Sequence, residues 1–257
     1  MVGLSELGVG NDLADTHGSA HEHDAQSAAQ QKLAHIQQSI AAVQTEIDSP
    51  PETIRVIGAS KAQSIETVIA FAEAGLCAFG ENYLQEALPK LAALHSHKLE
   101  WHFIGRVQAN KARQVAASFA WVQTLDSVRL AQRLSSARMT LSPHSPLNCC
   151  IQVNIDHEPQ KAGVVPEAFD DLVMAAGELP GLRLRGVMAI PAAATNLASR
   201  IDSFNKVRAL FQHAKPACSQ HWDTVSLGMS GDYLDAIRCG ANLIRLGTTL
   251  FGPRPPR

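Results

Sequence analysis

Leu33, Ile36, Ile40, Val43 and Ile47 recur at steps of three and four residues, the spacing that gives an α-helix one apolar face. This predicts a helix over 25–48, stopped by Ser49-Pro50-Pro51. Upstream, residues 1–24 are polar, contain glycine and show no period, which predicts a mobile tail. Beyond Pro51 the pattern alternates between two periods. Short β-type runs lie at 54–60, 78–81, 101–105, 121–126, 149–154, 184–190, 224–229 and 243–250. Helical stretches at 65–74, 82–94, 127–136, 168–179 and 200–213 separate them, and GDYLDAIRCG after Ser230 predicts a short helix ended by Gly240.

Alternating βα units imply a parallel sheet. Eight such units in about 200 residues fit a single closed (β/α)8 TIM-type barrel with an extra N-terminal helix, a domain of 25–257 behind the tail. An open doubly wound sheet usually carries a Gly-rich turn after its first strand. Ser60-Lys61-Ala62-Gln63 stands there instead.

Composition narrows the function classes. The 257 residues carry 22 Lys+Arg against 24 Asp+Glu, a net charge of −2, which supplies no field for nucleic acid or an anionic membrane. No apolar run approaches the roughly 20 residues of a membrane span, and the acidic opening MVGLSELGVGNDLADTHG, without a basic n-region, argues against a secretory or transit signal. Cys77, Cys149, Cys150, Cys218 and Cys239 have no framework spacing, so reduced thiols in the cytoplasm are expected. His17, His21 and His23 read as solvated tail residues, and no metal site is expected.

In a parallel barrel, chemistry gathers at the C-terminal strand ends. The first strand ends in Ser60-Lys61, which aims an amine at the mouth, and the second ends in Gly80-Glu81-Asn82. The third brings His102 and then Lys111, and the fifth ends in Asn154. The seventh ends in Gly228-Met229-Ser230 before a helix, and the eighth contributes Arg245-Leu246-Gly247-Thr248. Small residues opening a helix leave amides free for an anion, and barrels often bind phosphate after strands seven and eight. A lysine beside such loops suggests a phosphorylated aldehyde held as a Schiff base, pyridoxal 5'-phosphate being the commonest.

The segments ASK (59–61), FGENYLQE (79–86), WHFIGRVQANK (101–111), IQVNIDHEPQKAG (151–163), LRLRGVMAIP (182–191), SLGMSGDYLDAI (226–237) and IRLGTTLFG (244–252) resemble the YggS/PROSC family of pyridoxal-phosphate homeostasis proteins, whose fold is like the alanine racemase N-terminal barrel. The resemblance spans 54–252; Arg106-Val107 stands where the family often has His-Leu, and Leu227 where Met is common. It implies a Schiff base on Lys61 and a phosphate held by Ser230, the amides of Gly228 and Met229, and Gly247-Thr248. It further implies that Arg245 faces the pyridine nitrogen and that Asn82 lies near the phenolic oxygen or the Lys61 nitrogen. Because Arg stays protonated, it discourages a pyridinium ring and damps carbanion chemistry.

A racemase needs a second acid/base, which in alanine racemases is a tyrosine from a C-terminal β-domain. This chain ends at Arg257, a few residues after strand eight, so no such domain is expected. The expectation is therefore a monomeric carrier in cytoplasmic pyridoxal-phosphate homeostasis, storing, delivering or protecting the cofactor, with apo PLP-enzymes as recipients. The alternative is a PLP-dependent racemase-like enzyme of low activity using Tyr83, Tyr233 or His102 as the opposing base. A third reading is an aldolase in which Lys61 takes a sugar phosphate directly. Trp101, Trp121 and Trp222 are expected in the core or rim, and Lys111 and Lys161 either near an anion or solvated.

Overall fold

The structure, a computed structural model, describes residues 15–50, 53–193, 196–215, 218 and 220–253, with side chains described from Asp24 onward. Eight parallel strands close into a barrel in chain order. They are β1 (Arg55–Ala59), β2 (Ala78–Glu81), β3 (Glu100–Phe103), β4 (Trp121–Leu125), β5 (Leu147–Val153), β6 (Leu182–Ala189), β7 (Thr224–Ser226) and β8 (Leu243–Leu246). Closure is made by β1 on β8, in register from Arg55 opposite Leu243 to Gly58 opposite Leu246. Among the described residues no helix is long and apolar enough to cross a membrane.

The helices form the outer ring: α1 (Asp15–Glu46), α2 (Ile65–Glu73), α3 (Leu84–Ala93), α4 (Ala112–Ser118), α5 (Val128–Leu141), α6 (Phe169–Gly177), α7 (Leu197–Ala214), α8 (Tyr233–Arg238) and α9 (Thr248–Phe251). Local chemistry sets several of their starts. The side chains of Ser64, Ser127 and Asn196 accept hydrogen bonds from the amides three residues ahead, opening α2, α5 and α7. Helix α1 is held by the predicted stripe, with Leu33, Ile36, Ile40 and Val43 buried against the ring. Burying each such side chain contributes about 1.5–3 kcal/mol. Arg238 of α8 fastens the far end of α1 through Glu46 at 2.8 Å.

The helix expected over 25–48 starts at Asp15 and ends at Glu46. The residues from Asp15 to Asp24 contain no proline and carry no apolar stripe, so periodicity could not see a helical stretch that has no face to bury. The backbone of His17, His21 and His23 lies on this helix; their side chains, and residues 1–14 of the expected tail, lie outside the described residues. Several strands end earlier than expected: the 101–105 run stops at Phe103, and the last two are cut back furthest. The 224–229 run stops at Ser226 and the 243–250 run at Leu246. Gly247 interrupts the second, and its carbonyl accepts from Leu250 and Phe251 to turn the following Thr-rich stretch into α9. The short helix α4 connects β3 to β4, as βα alternation requires.

Candidate functional site

Lys61 follows the end of β1 by two residues and is half-buried in the turn leading to α2. The turn is fixed from below. The Ser60 hydroxyl donates to Glu81 Oε1 at 2.6 Å, and the Lys90 ammonium donates to the same oxygen and to the Ser60 carbonyl, both at 2.7 Å. Ser60, Glu81 and Lys90 are all buried. On the far side of Lys61, the Ala62 amide donates to Glu86 Oε2 at 3.2 Å, with Ala62 held at φ 60°. A buried ion pair and a left-handed residue thus bracket the lysine.

The loops after β7 and β8 meet. Ser230 Oγ accepts from the Gly247 amide at 3.2 Å and from the Thr249 amide at 3.1 Å, and Thr249 Oγ1 donates to the Ser230 carbonyl at 3.3 Å. The β8 loop also lies against β1: a Cβ placed on Gly247 would sit 3.8 Å from the Ala59 carbonyl. Gly228 has φ +88°, and a Cβ there would come within 2.8 Å of Ala236 Cβ and 2.9 Å of Tyr233 Cα. Only glycine lets this loop reach its turn without strain.

Of the expected phosphate amides, Met229 is differently engaged. Its N–H donates to Asp232 Oδ1 at 2.6 Å, while the amides of Asp232 and Tyr233 return to the Met229 carbonyl. This reciprocal pairing resembles a capping box, and an acid three residues after Met229 was its sequence signal. Thr248 is exposed at the start of α9, and it is its neighbour Thr249 that reaches Ser230. Both Asp232 and Thr249 escaped the sequence reading.

Arg245 is buried, with Nη1 donating to Ser226 Oγ at 2.6 Å and to the Ser226 carbonyl at 2.9 Å, and Nη2 donating to the Ala189 carbonyl at 3.0 Å. It therefore spans the ends of β6, β7 and β8. Burial pulls its pKa down to about 10, which still leaves a cation at neutral pH. Asn82 follows β2, and its Oδ1 is buried with no hydrogen-bond partner among the described residues. The Asn82 backbone passes so close to β3 that a Cβ on Gly105 would lie 2.0 Å from the Asn82 carbonyl oxygen. Asn82, Tyr83, Arg106 and Lys111 line a cavity of about 370 Å3 beside the mouth.

The remaining expected residues separate. His102 is buried with both ring nitrogens in hydrogen bonds, to Gln123 and Glu100, so it is not a base exposed to a ligand. Asn154 holds its own loop, donating to the Glu158 carbonyl and accepting from the Glu158 amide. Lys161 pairs with Glu158 and donates to the Ile190 carbonyl. Tyr83 is exposed at the rim, Tyr233 is buried, and all three tryptophans are in the core. Burial pushes the Cys150 thiol up to about 12 and Cys149 higher still; neither is a nucleophile at neutral pH.

The arrangement offers an amine, a cluster of amides and hydroxyls suited to an anion, an unsatisfied amide oxygen and a fixed cation at one end of one barrel. The alanine racemase N-terminal domain family matches residues 31–255. The chain is 42% identical over 228 residues to a pyridoxal phosphate homeostasis protein of Haemophilus influenzae, covering 88% of this chain and 95% of that one. It is 41% identical over 230 residues to the protein of the same name from Pasteurella multocida, covering 88% and 97%. The solved structure of PipY from Synechococcus elongatus with PLP bound aligns with a TM-score of 0.74 and 30% identity, covering 84% of this chain and 100% of PipY.

Proposed function

This chain belongs to the alanine racemase N-terminal domain family, among its pyridoxal phosphate homeostasis proteins, and from that premise we propose that it carries pyridoxal 5'-phosphate on Lys61 as a homeostasis protein. One observation carries the site assignment: the Lys61 turn, the Ser230–Gly247–Thr249 cluster and buried Arg245 share the same end of the barrel. The residues present fit the group. The unsatisfied Asn82 Oδ1 awaits a donor, and the Gly228 turn leaves no room for a side chain.

When bound, the cofactor supplies an aldehyde that condenses with amines and a ring that can draw electrons from what is attached to it. Lys61 provides the amine. The Ser230 hydroxyl, whose oxygen already accepts from the Gly247 and Thr249 amides and whose proton is free to donate, would hold the phosphate together with the expected Gly247-Thr248 turn, with Gly228 shaping the loop. The Met229 amide, held by Asp232, would join them only on release of that hydrogen bond. Arg245 would turn its remaining N–H groups toward the ring nitrogen and, being protonated, could not accept a proton from it. That arrangement favours keeping the cofactor over using it as an electron sink, which supports a carrier in preference to a racemase.

In this reading the protein acts in the cytoplasm as a monomer, and apo PLP-enzymes take the cofactor from it. The test is the visible absorption spectrum and intact mass, before and after borohydride reduction, of the wild type and Lys61→Ala. The expected result is a yellow protein that reduction bleaches into a stable adduct, absent from the variant. A protein that stays colourless with added pyridoxal phosphate overturns the reading.

A further inference from the structure

TIM-barrel interiors are usually filled by branched apolar side chains. Here Trp121, Cys150 and Met188 form only a small apolar cluster, and a polar column runs beside it. Arg245 Nη1 donates to Ser226 Oγ at 2.6 Å, Ser226 Oγ donates to Gln123 Oε1 at 2.7 Å, and Gln123 Nε2 lies 3.0 Å from His102 Nδ1. His102 Nε2 lies 2.8 Å from Glu100 Oε1. Strands β4 and β7 are not neighbours in the sheet, so the Gln123–Ser226 bond crosses the barrel interior. Ser226, Gln123 and His102 are each fully buried.

The donors and acceptors permit one assignment. A guanidinium only donates, so Ser226 Oγ accepts from Arg245. The Glu100 carboxylate only accepts, so a neutral His102 carries its proton on Nε2 and takes the Gln123 NH2 at Nδ1. That leaves Gln123 Oε1 to accept the Ser226 proton. His102 also stacks on Trp121 at 5.0 Å. The guanidiniums of Arg55 from β1 and Arg185 from β6 lie 4.8 and 4.5 Å from the Trp121 ring and oppose a charge on His102. A buried network satisfied at every member is rigid, whereas one broken link leaves a buried group unpaired.

We propose that Gln123 and His102 are positioning residues for Arg245, holding its guanidinium through Ser226 in one orientation at the inner wall of the mouth. The column anchors at Glu100, at the opposite end of the barrel from Lys61. Its relevance to the ring nitrogen rests on the proposed cofactor site, but the column can be tested without any cofactor.

Nitrogen-15 NMR of cofactor-free protein should show His102 neutral with its proton on Nε2, and Gln123→Leu should shift those signals. A His102 proton on Nδ1, or a doubly protonated ring at neutral pH, overturns the proposal. In loaded protein, Gln123→Leu and Ser226→Ala should keep the borohydride-trapped adduct on Lys61. They should move the visible band and displace its pH midpoint by about one unit, while His102→Gln, able to accept and donate along the same line, stays near wild type. Unchanged spectra and midpoints in either folded variant also overturn it. A wild type that never forms an adduct fails the cofactor reading instead and leaves the NMR result to decide the column.

Discussion

Lys90 and Ser60 stand thirty positions apart in the chain and are joined by a 2.7 Å hydrogen bond from the lysine ammonium to the serine carbonyl. The same ammonium neutralises Glu81, which is fully buried and whose second oxygen has no hydrogen-bond partner among the described residues. The residue before Lys61 is therefore placed by helix α3, and the position of the reactive amine depends on a buried ion pair.

Lys90→Met should destabilise the protein by about 3–5 kcal/mol, because it leaves the Glu81 carboxylate buried with no counter-charge and only the Ser60 hydroxyl as partner. Lys90→Met combined with Glu81→Gln should cost less, since no charge is then stranded. Denaturant midpoints of the two variants check this, and equal losses would contradict the ion-pair account.

Gly228→Ala should cost about 1–3 kcal/mol from the left-handed backbone alone, before the clash with Ala236 and Tyr233. Displacing the turn that carries Ser230 should also weaken pyridoxal phosphate binding by about tenfold or more. Thermal unfolding and equilibrium dialysis measure the two effects. A stable variant with native affinity would show that the loop tolerates the methyl group and does not shape the site.

Asn82→Ala separates binding from stability. Its Oδ1 has no hydrogen-bond partner among the described residues, so the unfolding free energy should change by about 0.5 kcal/mol or less. The hold on pyridoxal phosphate should weaken by roughly 2- to 10-fold, the worth of one hydrogen bond. Lost stability with unchanged affinity is the contrary outcome.

Stability should fall with pH through the base of the column. Burial pulls the His102 pKa below its usual value, against the opposing pull of Glu100. Burial raises the Glu100 carboxyl, but the hydrogen bond from His102 Nε2–H and the nearby Arg55 guanidinium outweigh it and hold that group below its usual value. Both folded values lie below the unfolded ones, so the unfolded chain binds more protons as acid is added. The His102 contribution is complete above pH ~6.5 and declines below it; that of Glu100 is lost as pH falls below about 4.5. Denaturation midpoints from pH ~8 to ~4 should show this slope, with the upper part flattened in His102→Gln. Parallel wild-type and variant profiles would remove His102 from the account.

The chain itself determined the barrel, because alternation between two- and 3.6-residue periods is a local property written into every βα unit. It also placed Lys61, Ser230, Gly247 and Arg245 at strand ends, since a parallel barrel sends every such end to one rim. Strand and helix limits were less legible: Gly247 and the capping pair Met229–Asp232 ended runs that composition alone extended, and the polar first turns of α1 carry no stripe to read.

What only the tertiary structure decided are contacts between residues far apart in sequence. Thr249 joins Ser230, Lys90 reaches Ser60, and Gln123 crosses the barrel to Ser226. His102, a residue that looks in sequence like a candidate base, is instead bonded on both nitrogens inside the barrel. A hydrogen bond has no sequence period: it forms when closure of β1 onto β8 brings inward side chains within about 3 Å of one another, and that proximity is a property of the closed barrel.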